Sequence, residues 1–205
     1  MTESRTRMTD PLMGKMWKTK SARFNAHLRL VRKYNMSTWA TSILAFYIFT
    51  ASCVPLIFPQ IASGGAQHMV VFLTLIISVF LIILTLREGS KQYDREGEKM
   101  LQCSIQISRI YNTFQGLSPE VQDERRIEFT DEYSRVLDSF SLNHRDIDYL
   151  QFQLRNRSEL HIGRIQYLVD LVKYGILSIA EYWLYLSLVI IPPLATFLLR
   201  HQLGF

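Results

Sequence analysis

Residues 37–58 read STWATSILAFYIFTASCVPLIF, and residues 66–86 read AQHMVVFLTLIISVFLIILTL. From Tyr34 to Leu86 the chain holds no Asp, Glu, Lys or Arg, an uncharged run of 53 residues. Each quoted stretch is about twenty residues long, the length a helix needs to cross roughly 30 Å of hydrocarbon. Between them Pro59-Gln60-Ile61-Ala62-Ser63-Gly64-Gly65 forms turns readily and is too short to hold a domain. The pair reads as an N-terminal transmembrane helical hairpin. A secretory signal fits badly, because a long polar and basic segment precedes the first run and a second span follows it at once.

A third apolar run, Tyr182–Leu199, follows the milder Tyr174–Ala180 and is separated from it by Glu181. It contains Pro192-Pro193, which removes helix hydrogen bonds and is tolerated in a membrane when neighbours satisfy the freed carbonyls. The run reads as a third, C-terminal membrane helix, or else as a re-entrant or interfacial one. The fold class is therefore an all-α membrane protein. Its parts are a basic amphipathic segment (1–33), the hairpin (34–86), a cytoplasmic helical segment (87–173) and a C-terminal membrane helix with its tail (174–205).

The net charge of +5 becomes informative once it is divided along the chain. Residues 1–33 carry nine Lys or Arg against Glu3 and Asp10, whereas residues 87–180 carry thirteen against fifteen acids. Basic residues flanking a span stay in the cytoplasm, which places the N-terminus and residues 87–173 inside and the hairpin turn outside. Arg23, Arg29, Arg32 and Lys33 lie just before the first span, with Trp17, Phe24, Leu28 and Val31 among them at helical spacing. That pattern suggests a helix resting on anionic lipid, and no direct binding of nucleic acid is expected.

Residues 87–173 read as helices throughout. The first continues out of the second span, with Tyr93, Met100, Ile107, Tyr111 and Phe114 on one stripe and the small residues Gly97 and Ser104 on the same face. A repeat near 3.5 indicates helix-to-helix packing, and the stripe is a candidate oligomer interface. Ser118-Pro119 starts a second helix, whose buried stripe is Phe129, Tyr133, Val136 and Phe140. Asn143-His144-Arg145-Asp146 caps a third with Ile147, Leu150 and Leu154 inward, continuing through Ile165 and Leu168 toward the last span.

No phosphate-binding loop, dinucleotide fingerprint, zinc-protease motif or Cys-x-x-Cys pair occurs in the chain. An enzyme is not expected, and neither is a cofactor or a metal. His144 with Asp146 and Asp148 reads as a helix start rather than a ligand cluster. Cys53 and Cys103 read as small apolar fillers. Within the spans, Thr41 and Ser52 share one helical face, and Thr74, Ser78 and Thr85 share another. Such stripes serve close helix packing, or else line a water-filled path between copies. Glu181 is either an intramembrane charge with Lys173 or an inter-subunit Arg as partner, or an ordinary headgroup-level charge.

The order of parts resembles the SLATT domain, the SMODS- and SLOG-associating two-transmembrane effector family of bacteria. The basic N-terminal helix, the tight hairpin and the following helix with Tyr93, Met100, Cys103 and Ile107 carry the resemblance, over roughly residues 15–170. Asn143-His144 with Asp148-Tyr149, and the C-terminal apolar run, are similar to a subfamily found beside reverse transcriptases. The resemblance implies a multi-pass protein of the bacterial inner membrane that acts in anti-phage defence or abortive infection. It also implies a homo-oligomer that opens a pore or disrupts the bilayer when triggered. The trigger it implies is a sensor protein, a nucleotide second messenger or a reverse-transcriptase system. A membrane anchor that recruits a soluble partner is the other reading, and no catalytic residue is carried over.

Overall fold

In the computed structural model the described residues are 10–57 and 65–203, without the side chains of 54–56, 65–67, 69, 70 and 195–203. The turn expected around Pro59–Gly64 lies outside the described residues. Every regular element among those described is a helix: α1 Pro11–Ile57, α2 Gly65–Ser90, α3 Tyr93–Gln115, α4 Pro119–Glu124, α5 Arg126–Ser139, α6 Asp146–Arg155 and α7 Arg164–Leu203. They form two compact units, one of residues 1–32 and 93–180 and one of residues 33–92 and 181–205.

The first unit is a helical bundle. α1 starts where Asp10 accepts hydrogen bonds from the Leu12 and Met13 amides at 2.8 and 3.2 Å, with Pro11 in the first helical position. Arg126 of α5 also reaches the Asp10 carboxylate, at 3.0 Å. Burial raises the pKa of this carboxyl, but the Arg126 bond and the two cap donors outweigh it and hold it below its ordinary value.

The core of this unit joins Met13, Met16 and Trp17 of α1 to Cys103, Ile107, Tyr111 and Phe114 of α3, Phe129 and Tyr133 of α5, and Phe152 of α6. Trp17 meets Phe152 edge-on at 4.8 Å, and Phe114 meets Phe129 at 5.1 Å. α1 and α3 approach closely at Gly97, where an added Cβ would lie 3.4 Å from Leu30 Cβ. Ser104 seals the same seam by donating to the Lys20 carbonyl at 2.9 Å.

These contacts correct three expectations. The stripe Met100, Ile107, Tyr111 and Phe114 is buried within the chain, with Tyr93 packed partly against it, so it is core and not an interface between copies. Residues 11–32 do not form an uncovered amphipathic strip, because Met13, Met16, Ala22, Ala26 and Leu30 are buried in protein and Phe24 is left exposed. Two helices also stop where continuity was expected. Gln92 (φ 47°) separates α2 from α3, and His161 (φ 51°) lies in the turn separating α6 from α7. A left-handed backbone cannot continue a helix.

In the second unit the later part of α1 lies with α2 and the later part of α7. Its interior is thin: Ser37, Ala40, Leu44, Leu84, Glu88 and Tyr185 are buried. Its outside is apolar, with Trp39, Phe46, Phe49, Phe72, Ile83 and Trp183 exposed. Two described stretches are long and apolar enough to cross a membrane. One begins at Val71 in α2 and the other is Arg164–Leu194, with mean hydropathies of 2.3 and 1.6. Only 11% and 6% of these windows is buried, whereas an apolar helix in a soluble core is covered on all sides. This is the surface of a membrane protein.

α7 stays helical through Pro192-Pro193. Pro193 cannot donate to the carbonyl of Val189, one turn earlier. The Tyr47 hydroxyl of α1 reaches that carbonyl instead, in a long contact of 3.5 Å.

Candidate functional site

The second unit buries a polar layer among its three helices. Glu88, near the end of α2, has its carboxylate almost fully covered. It accepts the Tyr185 hydroxyl of α7 at 2.5 Å and the Ser37 hydroxyl of α1 at 3.3 Å. Lys91, three residues along, forms an ion pair with the same carboxylate. A second pair joins α1 directly to α7, with Lys33 Nζ 2.5 Å from Glu181 Oε2 and both side chains at least 85% covered.

The layer is neutral overall, two carboxylates against two ammonium groups, and each charge has a partner. Burying such groups costs several kcal/mol per ion unless pairing is complete. The layer therefore holds the three helices in one arrangement and strongly penalises any arrangement that separates the partners. Glu181 pairs with Lys33, a partner the sequence reading did not name, because α1 enters the second unit beside α7.

The hydroxyl residues are not brought onto one surface. Thr74 and Ser78 are half-buried on α2, whereas Thr85 is exposed; Thr41 is half-buried on α1 and Ser52 exposed. Ser78, Thr85, Thr41 and Ser52 each donate to a carbonyl one turn back in their own helix, at 2.7 to 3.0 Å. They are thus satisfied without any cross-helix partner. The Tyr185–Glu88–Ser37 cluster was not anticipated. Its signal was the pairing of Glu88 with Lys91 just past an apolar run, which resembles an ordinary span-end charge.

The first unit holds a polar core of its own. Asp148 of α6 is buried and takes both Arg29 Nε at 2.8 Å and Arg29 Nη2 at 3.1 Å. It also accepts the Arg145 amide at 2.9 Å, while its own carbonyl takes the Asn25 side chain at 3.0 Å. One aspartate thereby caps α6 and clamps it to α1. Arg145, not Asn143, is the residue at the cap position. Nearby, Arg23 Nη1 lies 2.7 Å from the buried sulfur of Cys103. Arg23 Nε and His144 Nδ1 are buried with no hydrogen-bond partner among the described residues. Burial first, and then the Arg23 charge, pushes the pKa of His144 below its usual value, against the opposing pull of Asp148 and Asp146.

Among the described residues no group of three His, Cys, Asp or Glu side chains is placed to hold a metal ion. No curated protein and no solved structure matches the chain. A family model does, described as SMODS and SLOG-associating 2TM effector domain family 5, over residues 8–199.

Proposed function

Because the chain belongs to SMODS and SLOG-associating 2TM effector domain family 5, we propose that it is a non-enzymatic, oligomeric effector of a bacterial anti-phage system. It permeabilises the inner membrane once an upstream sensor, or a reverse-transcriptase system encoded beside it, signals infection. The observation that carries this reading is the neutral polar layer of Lys33, Glu88, Glu181 and Tyr185 inside a unit with an apolar exterior.

In the resting arrangement every polar partner in the layer is satisfied, and the helices stay closed. A signal that favours a second arrangement must bind it better than the first. Separating the helices would expose the layer, which only water could then satisfy. An aqueous path lined by Glu88, Glu181 and the half-buried hydroxyls Thr74 and Ser78 follows from that, with apolar residues between them closing it by dewetting.

The proposal sets the first two apolar runs as a hairpin and Tyr182–Leu199 as a third span. The N-terminus and residues 87–173 lie in the cytoplasm, on the basic side of the first span. Single cysteines at Gly64 and Ser118, in a chain with Cys53 and Cys103 replaced, test this orientation: the first is labelled from outside intact cells and the second is protected. The reverse pattern sinks it.

For permeability, the protein is reconstituted in dye-loaded phosphatidylethanolamine–phosphatidylglycerol vesicles. Glu88→Ala, which removes the carboxylate that Tyr185 and Lys91 share, raises resting leakage above wild type. If wild type, Glu88→Ala and Tyr185→Phe all leave vesicles sealed at high protein density, the chain is instead a membrane anchor for a soluble partner.

A further inference from the structure

Two adjoining hollows on the first unit share the side chain of Arg155. The inner one, about 320 Å³, is lined by Lys20, Phe24 and Asn25 of α1, Ser104 of α3, and Arg155 and Asn156 at the end of α6. The outer and more open one, about 520 Å³, is lined by Arg155, Arg157, Ser158, His161 and Ile162. No Asp or Glu is among the residues lining either hollow, and Arg155 and Arg157 gather positive charge at the outer one. Such a gathering is unfavourable until an anion joins it.

Arg157 and Lys20 are held in place rather than free to disperse. Arg157 donates its Nε to the Ile162 carbonyl at 3.3 Å, and its guanidinium lies over the Tyr167 ring at 4.6 Å. Both leave its terminal amino groups uncommitted among the described residues. Lys20 Nζ sits 3.8 Å above the Tyr111 ring. Arg155 makes no hydrogen bond or ion pair with any described residue. The loop carrying the outer hollow is bonded to itself, Leu160 N to Asn156 O at 3.0 Å and Ile162 N to Arg157 O at 3.2 Å. His161 is held there in a left-handed conformation.

The inner hollow has a different chemistry. Three of its polar side chains are fixed by bonds to backbone: Asn25 Nδ2 donates to Asp148 O, Asn156 Nδ2 to Phe152 O, and Ser104 to Lys20 O. Each amide keeps an oxygen acceptor and a second N–H donor, and the ring of Phe24 beside them is exposed. That combination suits a flat organic group that both donates and accepts hydrogen bonds. A planar guanidinium fork such as Arg155 and Arg157 provide suits a phosphate.

We propose that the two hollows are one bipartite site for a phosphate ester, with Arg155 and Arg157 on the phosphate and Phe24, Asn25 and Asn156 on the organic part. The same chemistry is offered by a soluble nucleotide and by the headgroup of an anionic lipid. The site is independent of the pore reading and would serve a non-conducting anchor equally well.

The test uses the full chain in nanodiscs and two probes. ATP binding is measured by calorimetry in neutral lipid, and phosphatidylglycerol retention by native mass spectrometry after exchange from mixed lipid. Because Arg155 is exposed and its side chain has no hydrogen bond or ion pair with a described residue, Arg155→Glu melts as wild type does, so a loss of binding is not a loss of fold. One of the two probes binds, and Arg155→Glu or Arg157→Glu weakens it by about tenfold or more, the effect of losing a charge-assisted pair. Arg155→Lys weakens it less. Phe24→Ala weakens ATP but spares inorganic phosphate competition. An Arg-dependent response to ATP identifies a soluble ester, and one confined to phosphatidylglycerol identifies a headgroup. If neither probe binds, or if binding is indifferent to both Arg→Glu changes, the assignment is wrong.

Discussion

Asp148→Ala is the sharpest perturbation of the first unit. It removes the acceptor for both Arg29 nitrogens and for the Arg145 amide at the start of α6. Arg29 is itself buried, so its guanidinium loses the Asp148 counter-charge and cannot turn to solvent without unpacking α1. Breaking a buried pair by removing one partner costs about 3–5 kcal/mol, and losing a helix cap about 1 more. For a unit of this size roughly 3–5 °C of melting temperature corresponds to each kcal/mol, so the unit should melt about 12–30 °C lower. Asp148→Asn should fall between, since one amide oxygen cannot serve both Arg29 and the cap. Thermal melting by intrinsic fluorescence, with Trp17 in the core as reporter, measures all three proteins. Arg29→Met combined with Asp148→Leu removes both charges and should recover more than half of the loss. A single Asp148→Ala protein melting within about 3 °C of wild type, or a double variant no better than the single, would refute the clamp.

Three more outcomes follow from the same kind of geometry. Gly97→Ala should be nearly neutral, because its Cβ would sit at ordinary contact distance from Leu30 and His27, whereas Gly97→Leu should force α1 and α3 apart at about 1–3 kcal/mol by thermal melting. Glu181→Ala should remove the carboxylate paired with the covered Lys33 and cost about 3 kcal/mol in nanodiscs, while the swapped pair Lys33→Glu with Glu181→Lys restores most of it; no rescue would mean the two charges do not interact. Since the pKa of His144 is lowered on folding, the folded state takes up its proton less readily than the unfolded chain. The stability it contributes is complete above about pH 6.5 and is lost as pH falls through that value toward the folded pKa. His144→Gln should flatten that part of the melting-temperature profile, and an unchanged profile would contradict the assignment.

The regular elements were largely legible. The apolar runs, the α3 stripe from Met100 to Phe114 and the α5 stripe at Phe129 and Tyr133 follow from spacing alone, since each helix has one face to bury. The partner of the α3 face was not legible. A periodic apolar stripe records that something covers it, and here α1 and α5 do so before any second copy can. The two helix breaks were missed for a related reason. Gln92 and His161 adopt left-handed backbone without being glycine, so no Gly or Pro marks the sites.

The paired charges lie furthest from local reading. Arg29 and Asp148 are 119 residues apart, and Lys33 and Glu181 are 148 apart. In the one-dimensional chain Arg29 is one of nine basic residues near the N-terminus, and nothing local separates a buried arginine from a lipid-facing one. A hydroxyl stripe does not by itself name a cross-helix partner, because a Ser or Thr in an apolar helix can satisfy itself on the preceding turn.

Tyr47 and Pro193 together act as a register key. A carbonyl left bare by proline sits at one height along α7, and a single phenol on α1 is placed to meet it. Sliding one helix past the other by a turn, about 5.4 Å, would leave that carbonyl facing hydrocarbon and the phenol without its acceptor. The two helices are therefore indexed to one another as well as packed. Motions that keep the key engaged, rotation or tilt about that point, are favoured over piston-like translation. A one-residue insertion between Tyr47 and Ser37 would shift that index by about 100° and 1.5 Å, setting the polar layer and the key in conflict.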